Sequence, residues 1–203
     1  MKTKSELVRK GYTKIAAVYN KQRGRYASEA LLRKFSKFIP KNSKVLDVGS
    51  GAGIPVAKFL SKKGYNVWGI DFAEGMVKLA KKNVPEAKFI KMDMTKIKFK
   101  LNTFDGAVSF YAIIHLPKAK HIKVYQKLHK IIKPNGIILF NTGGTKTEEY
   151  CVKNYLGVPM FWGYWNPKKT LQIIRNAGFE IIWSKVLKIG GETSFWVLAR
   201  NKK

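Results

Sequence analysis

Residues 45–53 are Val-Leu-Asp-Val-Gly-Ser-Gly-Ala-Gly. The apolar residues at the start of this segment predict a buried strand, and its glycines predict a tight turn before a helix that begins near Pro55. Glycine is needed where the backbone has a positive φ or where a ligand approaches the chain closely. The segment therefore predicts a small-molecule site at the end of a strand.

A dinucleotide-binding Rossmann domain is the obvious alternative for such a turn. Its G-x-G-x-x-G pattern requires a glycine at position 54, and the chain has Ile54 there. Asp47 comes two residues before the first glycine. Its carboxylate would repel a pyrophosphate, but it suits a ligand that carries an ammonium and a sulfonium. These details favour a different nucleoside ligand.

Aspartate is scarce in the chain, and its positions are informative. The four aspartates are Asp47, Asp71, Asp93 and Asp105. The first three lie at or near the carboxyl ends of successive predicted strands, which is the edge where open α/β sheets bind ligands. Asp105 begins a predicted strand, and we expect a structural role for it.

Two of these carboxylates have a specific interpretation and an alternative. Asp71 lies at the end of the second predicted strand and suits the ribose hydroxyls of an adenosine, although Asp71 and Glu74 also fit a helix capping box. Asp93 follows the third predicted strand and suits the adenine amino group, although it also fits a surface loop. Both ligand roles are favoured over the alternatives.

Alternating helical and strand patterns predict one α/β domain, residues 1–203, with a mostly parallel sheet. A long helix is expected over residues 117–133, with His121 and His129 on its solvated face, followed by a turn at residues 133–136. Asn166 and Pro167 predict the start of the last helix. Gly190 and Gly191 predict a hairpin, so that the last strand runs antiparallel.

The charge of the chain is unusual, with 40 Lys and Arg against 12 Asp and Glu, a formal net charge of +28. Such an excess attracts polyanions and keeps a nucleic-acid partner possible. The lysines, however, are spread along the whole chain, which favours a solvated lysine-rich surface. One cysteine, no signal-peptide pattern and no long apolar run predict a cytoplasmic protein without a membrane partner. One cysteine and three scattered histidines predict no metal site.

The chain resembles the class I S-adenosylmethionine-dependent methyltransferases, and within them the small-molecule branch of methyltransferase type 11. The segments that carry this resemblance are residues 44–80, 93–94, 104–108 and 128–139. Residues 12–19 resemble the lead-in helix of that branch, and residues 161–165 and 176–180 resemble its C-terminal part. The resemblance implies a three-layer αβα Rossmann-like fold. It also implies a seven-stranded sheet of order 3-2-1-4-5-7-6 with an antiparallel last strand, and N-terminal helices within residues 1–40 that cap the cofactor cleft.

The resemblance also implies S-adenosylmethionine as the cofactor and S-adenosylhomocysteine as its product. The glycine turn would hold the methionine part, with Asp47 at its amino group and Tyr19 closing over it. Asp71, Phe72 and Met76 would surround the ribose and adenosine, and Asp93 and Met94 the adenine. Ser109 and Phe110 would lie under the sulfonium. The implied cofactor-binding set is thus Tyr19, Asp47, Gly49, Ser50, Gly51, Gly53, Asp71, Phe72, Met76, Asp93, Met94, Ser109 and Phe110.

On the acceptor side, His115 is the candidate general base, with a helix-start residue before Pro117 as the alternative. The aromatic segment at residues 150–165 fits either a lid over the acceptor or ordinary packing. The favoured function is methyl transfer to a small-molecule acceptor by a monomer or homodimer. Methylation of ribosomal or transfer RNA, and cofactor binding without catalysis, are the alternatives.

Overall fold

The computed structural model describes residues 3–22 and 29–203. Within these residues, seven strands form one sheet in the order β3-β2-β1-β4-β5-β9-β8, and β6 and β7 form a separate two-stranded sheet. The strands are β1 (Lys44–Val48), β2 (Asn66–Asp71), β3 (Lys88–Lys91), β4 (Phe104–Ser109), β5 (Ile132–Gly143), β6 (Glu148–Tyr155), β7 (Val158–Tyr164), β8 (Phe179–Ile189) and β9 (Glu192–Asn201).

The first five strands of the main sheet pair in parallel, and β9 pairs antiparallel with both β5 and β8. Counted within the main sheet alone, this is the expected order 3-2-1-4-5-7-6 with an antiparallel last strand. The detail differs because the β6–β7 hairpin precedes the last helix, so the final two strands are the eighth and ninth along the chain. The three-layer Rossmann-like α/β fold is confirmed.

Helices cover both faces of the sheet. They are α1 (Lys4–Gln22), α2 (Glu29–Ser36), α3 (Val56–Lys62), α4 (Glu74–Asn83), α5 (His121–Ile131) and α6 (Pro167–Asn176). Apolar residues of α2, α3 and α4 pack on one face, and those of α5 and α6 on the other. The Asn166 side chain accepts a hydrogen bond from the Lys169 amide, which caps α6 as expected.

Two local expectations were wrong. Residues 133–136 are not a free turn before a strand, because β5 already begins at Ile132. Ile132 pairs with Phe104 and Ile137 with Gly106, so residues 133–136 form a bulge opposite Asp105. The Asp105 carboxylate accepts hydrogen bonds from the Lys44 amide and from Lys133 Nζ, both at 2.7 Å. Asp105 thus has the structural role that we expected.

The second wrong expectation concerns His121, which is 2% exposed rather than solvated. Residues 118–120 form a 3₁₀ turn, and α5 begins at His121, so its ring turns inward at the start of the helix. Its Nε2 donates to the carbonyl oxygen of Leu116 at 3.2 Å. Burial lowers the pKa of His121 to about 4, and the hydrogen bonds to backbone carbonyls counteract this only in part.

Candidate active site

A cleft lies at the carboxyl ends of β1, β2 and β4, with α1 across it. The structure brings together eleven of the thirteen implied cofactor residues and His115 in its wall, namely Tyr19, Asp47, Gly49, Ser50, Gly51, Asp71, Phe72, Met76, Asp93, Met94, Phe110 and His115. Further wall residues come from α1, from the turn after Gly53 and from the turn after β4. These include Ser5, Val8, Tyr12, Asn20, Ile54, Tyr111 and Ala112.

Gly53 and Ser109 do not line this cleft. A Cβ on Gly53 would lie 3.1 Å from Val84 and 3.2 Å from Phe89, so this glycine allows α4 and β3 to pack closely against the turn. The Ser109 hydroxyl donates to the carbonyl oxygen of Val48 at 2.9 Å and is buried between β4 and β1. Both residues shape the site from behind its wall.

The glycine turn is built for close approach. Gly49 and Gly51 have φ angles of 72° and 52°, in the region that favours glycine. A Cβ on Gly51 would meet no atom within 4 Å, so it would project into the cleft. Both the Gly49 and Ser50 amides donate to the carbonyl oxygen of Ile70, which fixes the turn against β2. The turn therefore leaves space for a ligand at Gly51.

Asp71 is held at the end of β2 by two backbone amides. Its Oδ2 accepts from the Gly51 amide at 3.0 Å and its Oδ1 from the Ala73 amide at 2.8 Å. The capping box with Glu74 does not form, because Glu74 pairs instead with Lys91 and Lys78. Burial raises the pKa of Asp71 to about 6, although the backbone hydrogen bonds lower it. A carboxylate has about four acceptor positions, so the backbone amides leave room on it for a ligand hydroxyl.

The other two acids, Asp47 and Asp93, also line the cleft. Asp47 is 2% exposed and lines the cleft beneath the glycine turn. Asp93 Oδ1 accepts from both the amide and the hydroxyl of Thr95 at 2.8 Å, which starts the 3₁₀ turn Met94–Lys96. A Cβ on Gly49 would lie 3.3 Å from Met94 Cε, so the Met94 thioether packs beside the glycine turn.

Helix α1 closes the opposite side. The rings of Tyr12 and Tyr19 pack edge to face with centroids 5.2 Å apart. Asn83 Nδ2 donates to Asn20 Oδ1 at 3.3 Å and to the carbonyl oxygen of Ala52 at 2.9 Å, which ties α1 to the glycine turn. Tyr12 has the helical spacing of the buried residues Val8 and Ile15 of α1, but no pattern in the sequence points to Asn20 or Asn83.

His115 lies in a 3₁₀ turn after β4 and is 7% exposed. Its Nδ1 lies 2.8 Å from the carbonyl oxygen of Phe161, and its Nε2 lies 2.7 Å from the Tyr12 hydroxyl. A carbonyl oxygen can only accept, so Nδ1 carries a proton, and when the ring is neutral the Tyr12 hydroxyl donates to Nε2. This arrangement leaves Nε2 as a base that can take the Tyr12 proton.

The aromatic segment forms the β6–β7 hairpin. Trp162 contacts the His115 ring at 5.3 Å between centroids, and Tyr150 stacks on Trp162 at 5.8 Å. A Cβ on Gly11 would lie 3.0 Å from Met160 Cε, so α1 packs closely on the hairpin at this glycine. Among the described residues, the cleft lining includes none from the hairpin. The hairpin therefore supports α1 and His115 from behind.

Comparison with known proteins agrees with this geometry. Residues 45–136 match the model of the methyltransferase domain family. This range contains the glycine turn, the three cleft aspartates and His115. This part of the chain is a methyltransferase domain of the class I S-adenosylmethionine-dependent kind. The cofactor of this family is S-adenosylmethionine.

Two relatives match the chain over only part of their own length. It is 36% identical over 102 residues to a phosphoethanolamine N-methyltransferase of Plasmodium falciparum, which covers 49% of this chain and 38% of the relative. It is 27% identical over 175 residues to a sterol 24-C-methyltransferase of Saccharomyces cerevisiae, which covers 78% of this chain and 44% of the relative. The chain thus spans less than half the length of either relative.

The fold also resembles that of magnesium protoporphyrin IX methyltransferase from Synechocystis, solved with bound S-adenosylmethionine. The TM-score is 0.74 at 15% identity, with 100% of this chain and 99% of the other covered. At this identity the likeness shows the fold. In the described part of this methyltransferase, no helix is long and apolar enough to cross a membrane.

Proposed function

We propose that this methyltransferase transfers the methyl group of S-adenosylmethionine to a small-molecule acceptor held between the glycine turn and the Tyr12–His115 pair. The observation that carries the proposal is the hydrogen bond from the Tyr12 hydroxyl to His115 Nε2 at 2.7 Å in the wall of the cofactor cleft. A proton acceptor beside a methyl donor suits an acceptor that has a hydrogen to lose.

The cofactor residues have proposed roles that follow from their positions. Asp71 accepts hydrogen bonds from the ribose hydroxyls with the acceptor positions that the Gly51 and Ala73 amides leave open. Asp47 faces the amino group, and Asp93 with Met94 flanks the adenine. Tyr19, Phe72, Met76 and Phe110 supply the apolar contacts, and Gly49, Ser50 and Gly51 the backbone cradle. The bound cofactor supplies an electrophilic methyl group on a cationic sulfur.

The residues of the chain then align the acceptor and move one proton. The acceptor gives its N–H or O–H proton to the Tyr12 oxygen while the Tyr12 proton passes to His115 Nε2. The imidazolium that forms still donates a hydrogen bond from Nδ1 to the carbonyl oxygen of Phe161. Val8, Leu116 and the tyrosine rings make this end of the cleft apolar and exclude water. An acceptor of modest size fits this enclosure better than a folded nucleic acid.

The first test separates cofactor binding from transfer. Calorimetric titration with S-adenosylhomocysteine, with NAD as the control, should show binding that Asp71→Ala removes. Transfer of a labelled methyl group is then measured to phosphoethanolamine, a sterol and a panel of small amines and phenols, for the wild type and for His115→Gln. Binding of NAD in place of S-adenosylhomocysteine would refute the proposal. Turnover that survives in His115→Gln would refute the role of the pair.

RNA methylation is the second candidate, and the net charge of +28 is the observation that favours it. It predicts tight RNA binding that weakens steeply with salt, together with methyl transfer to transfer or ribosomal RNA. The described lining of the cleft includes no lysine or arginine that would guide a phosphate backbone into it. Transfer to RNA but to none of the small molecules would replace the first proposal with this one.

A further inference from the structure

Tyr111 has a backbone conformation that its residue type rarely adopts. It lies two residues after the end of β4, lines the cleft, and has a φ of 55°. A residue with a side chain in this region is strained, and the conformation persists only where the surroundings enforce it. Such residues concentrate at functional sites, and a specific contact is needed to hold Tyr111 in this conformation.

The enforcing contact is a side chain of β5. Parallel pairing between β4 and β5 ends at Ser109 and Phe140, and β5 continues beyond that point. The next residue of β5, Asn141, is fully buried, and its Oδ1 accepts the Tyr111 amide at 2.7 Å. The amide side chain thus replaces the backbone acceptor that a continued ladder would provide, and it allows β4 to turn away from the sheet.

The turn that this bond holds presses directly on the cofactor loop. A Cβ on Gly49 would lie 2.2 Å from the Cβ of Ala112, so Ala112 occupies the space where a side chain at Gly49 would be. Both residues line the cleft. Ala112 directly follows Tyr111. The hydrogen bond that holds Tyr111 therefore also sets the distance between the glycine turn and the turn after β4.

Burying Asn141 costs stability that an apolar residue would not cost. Its Nδ2 has no hydrogen-bond partner in residues 3–22 and 29–203, and the same holds for the indole Nε1 of Trp196, its partner across the β5–β9 ladder. A buried donor without a partner destabilises the folded protein, because it has lost its hydrogen bonds to water. An amide at this position is thus better explained by the one bond that it makes to Tyr111 than by packing.

We propose that Asn141 is a positioning residue, which sets the width of the cofactor cleft by holding the Tyr111–Ala112 turn against Gly49. This inference rests on the proposed function, which supplies S-adenosylhomocysteine as the ligand. The hydrogen bond between Asn141 and Tyr111 can be tested without a methyl acceptor. Loss of the Asn141 oxygen should release the turn, raise the exchange rate of the Tyr111 amide, and weaken S-adenosylhomocysteine binding.

The experiment compares Asn141→Ala with Asn141→Asp, which keeps an oxygen at the Oδ1 position. Hydrogen exchange of the ligand-free protein should show the Tyr111 amide exchanging at least about tenfold faster in Asn141→Ala, because its buried acceptor is gone. Calorimetry should show S-adenosylhomocysteine binding roughly tenfold more weakly in Asn141→Ala, and Asn141→Asp should restore both values most of the way. If the alanine variant does not fold, Asn141→Ser replaces it, since its shorter side chain does not reach the Tyr111 amide.

Thr142→Val is the matched control. Thr142 is the next residue of β5, is 1% exposed, and has no hydrogen-bond partner for its hydroxyl in the described chain. This variant should keep the wild-type affinity and the wild-type exchange rate at Tyr111. Unchanged exchange at Tyr111 in Asn141→Ala, or equal losses in the alanine and aspartate variants, would overturn the inference. Failure of the wild type to bind S-adenosylhomocysteine would instead count against the cofactor site, and the exchange comparison would still decide the anchor.

Discussion

The Tyr12 hydroxyl donates to His115 Nε2 at 2.7 Å, although 103 positions separate the two residues in the chain. Tyr12 comes from α1, and His115 from the turn after β4. The bond therefore forms only when α1 is packed across the cleft. In the proposed mechanism, it links the packing of α1 across the cleft to the proton transfer from the acceptor.

We expect removal of the Tyr12 hydroxyl to slow methyl transfer without weakening cofactor binding. Tyr12→Phe keeps the ring but removes the donor to His115, so turnover with the acceptor that the screen identifies should fall about 10²- to 10⁴-fold. The affinity for S-adenosylhomocysteine should stay within about twofold of the wild type, because the ring remains. Tyr150→Phe, on the outer side of the hairpin, is the control and should retain full turnover. A Tyr12→Phe enzyme with wild-type turnover would exclude the proton path.

The raised pKa of Asp71 predicts how cofactor binding depends on pH. The carboxylate accepts ribose hydroxyl bonds best when it is ionised, and its pKa is about 6 in the folded protein. The affinity for S-adenosylhomocysteine should therefore fall as the pH drops below about 6, by up to about tenfold per pH unit, and level off above it. Asp71→Asn should bind more weakly and lose this pH dependence. A wild-type affinity that stays constant from pH 5 to pH 7.5 would contradict the assignment.

Two glycines can be compared as sites of the same substitution, one inside the cleft and one outside it. Gly51 and Gly157 both have positive φ angles, 52° and 86°, and both have open space where a Cβ would stand. Replacement by alanine should cost each variant a similar free energy of unfolding, about 1 kcal/mol, since the backbone strain is of the same kind. Gly51→Ala should also weaken S-adenosylhomocysteine binding, because the methyl group enters the cleft. Equal affinity in the two variants would show that the ligand does not approach Gly51.

Burial of His121 predicts loss of stability in mild acid. The histidine titrates near its ordinary value of 6.5 in the unfolded chain and near 4 in the folded protein. Between these values the unfolded state binds more protons, so the free energy of unfolding falls as the pH drops from 6.5 to 4, by roughly 3 kcal/mol from this residue. Urea titrations at several pH values should show a shallower fall in His121→Gln than in the wild type. Parallel curves would mean that folding leaves the pKa of His121 unchanged.

Local patterns predicted one α/β domain with a mostly parallel sheet, and the family resemblance implied the three layers, the strand order within the main sheet and most of the cleft wall. The glycine turn and the aspartates at strand ends meet at one edge in any parallel sheet. Gly53 was placed with the ligand because a glycine can serve either a ligand or a close helix, and the motif does not distinguish them. In this fold, Gly53 serves the packing of α4.

The acceptor end could not be predicted in the same way. Tyr12 has the spacing of a core residue on α1, and its contact with His115 depends on how that helix crosses the cleft. His121 was expected to be solvated because the lysines around it mark a wet face, and the 3₁₀ turn before α5 changes which way the first residue points. Asn141 lies in the apolar strand β5. No sequence pattern distinguishes a polar residue that holds a turn by a hydrogen bond from one that is merely tolerated in such a strand.

Helix α1 and the β6–β7 hairpin both lie outside residues 45–136, the range that matches the family model. They nevertheless supply the Tyr12 hydroxyl and the Phe161 carbonyl that hold His115. In the proposed mechanism, acceptor choice therefore depends on these two flanking segments, whereas the glycine turn and the three cleft aspartates lie within the matched range. Chimeras that graft both segments together onto another methyltransferase core should carry acceptor preference with them, and grafts of either one should not.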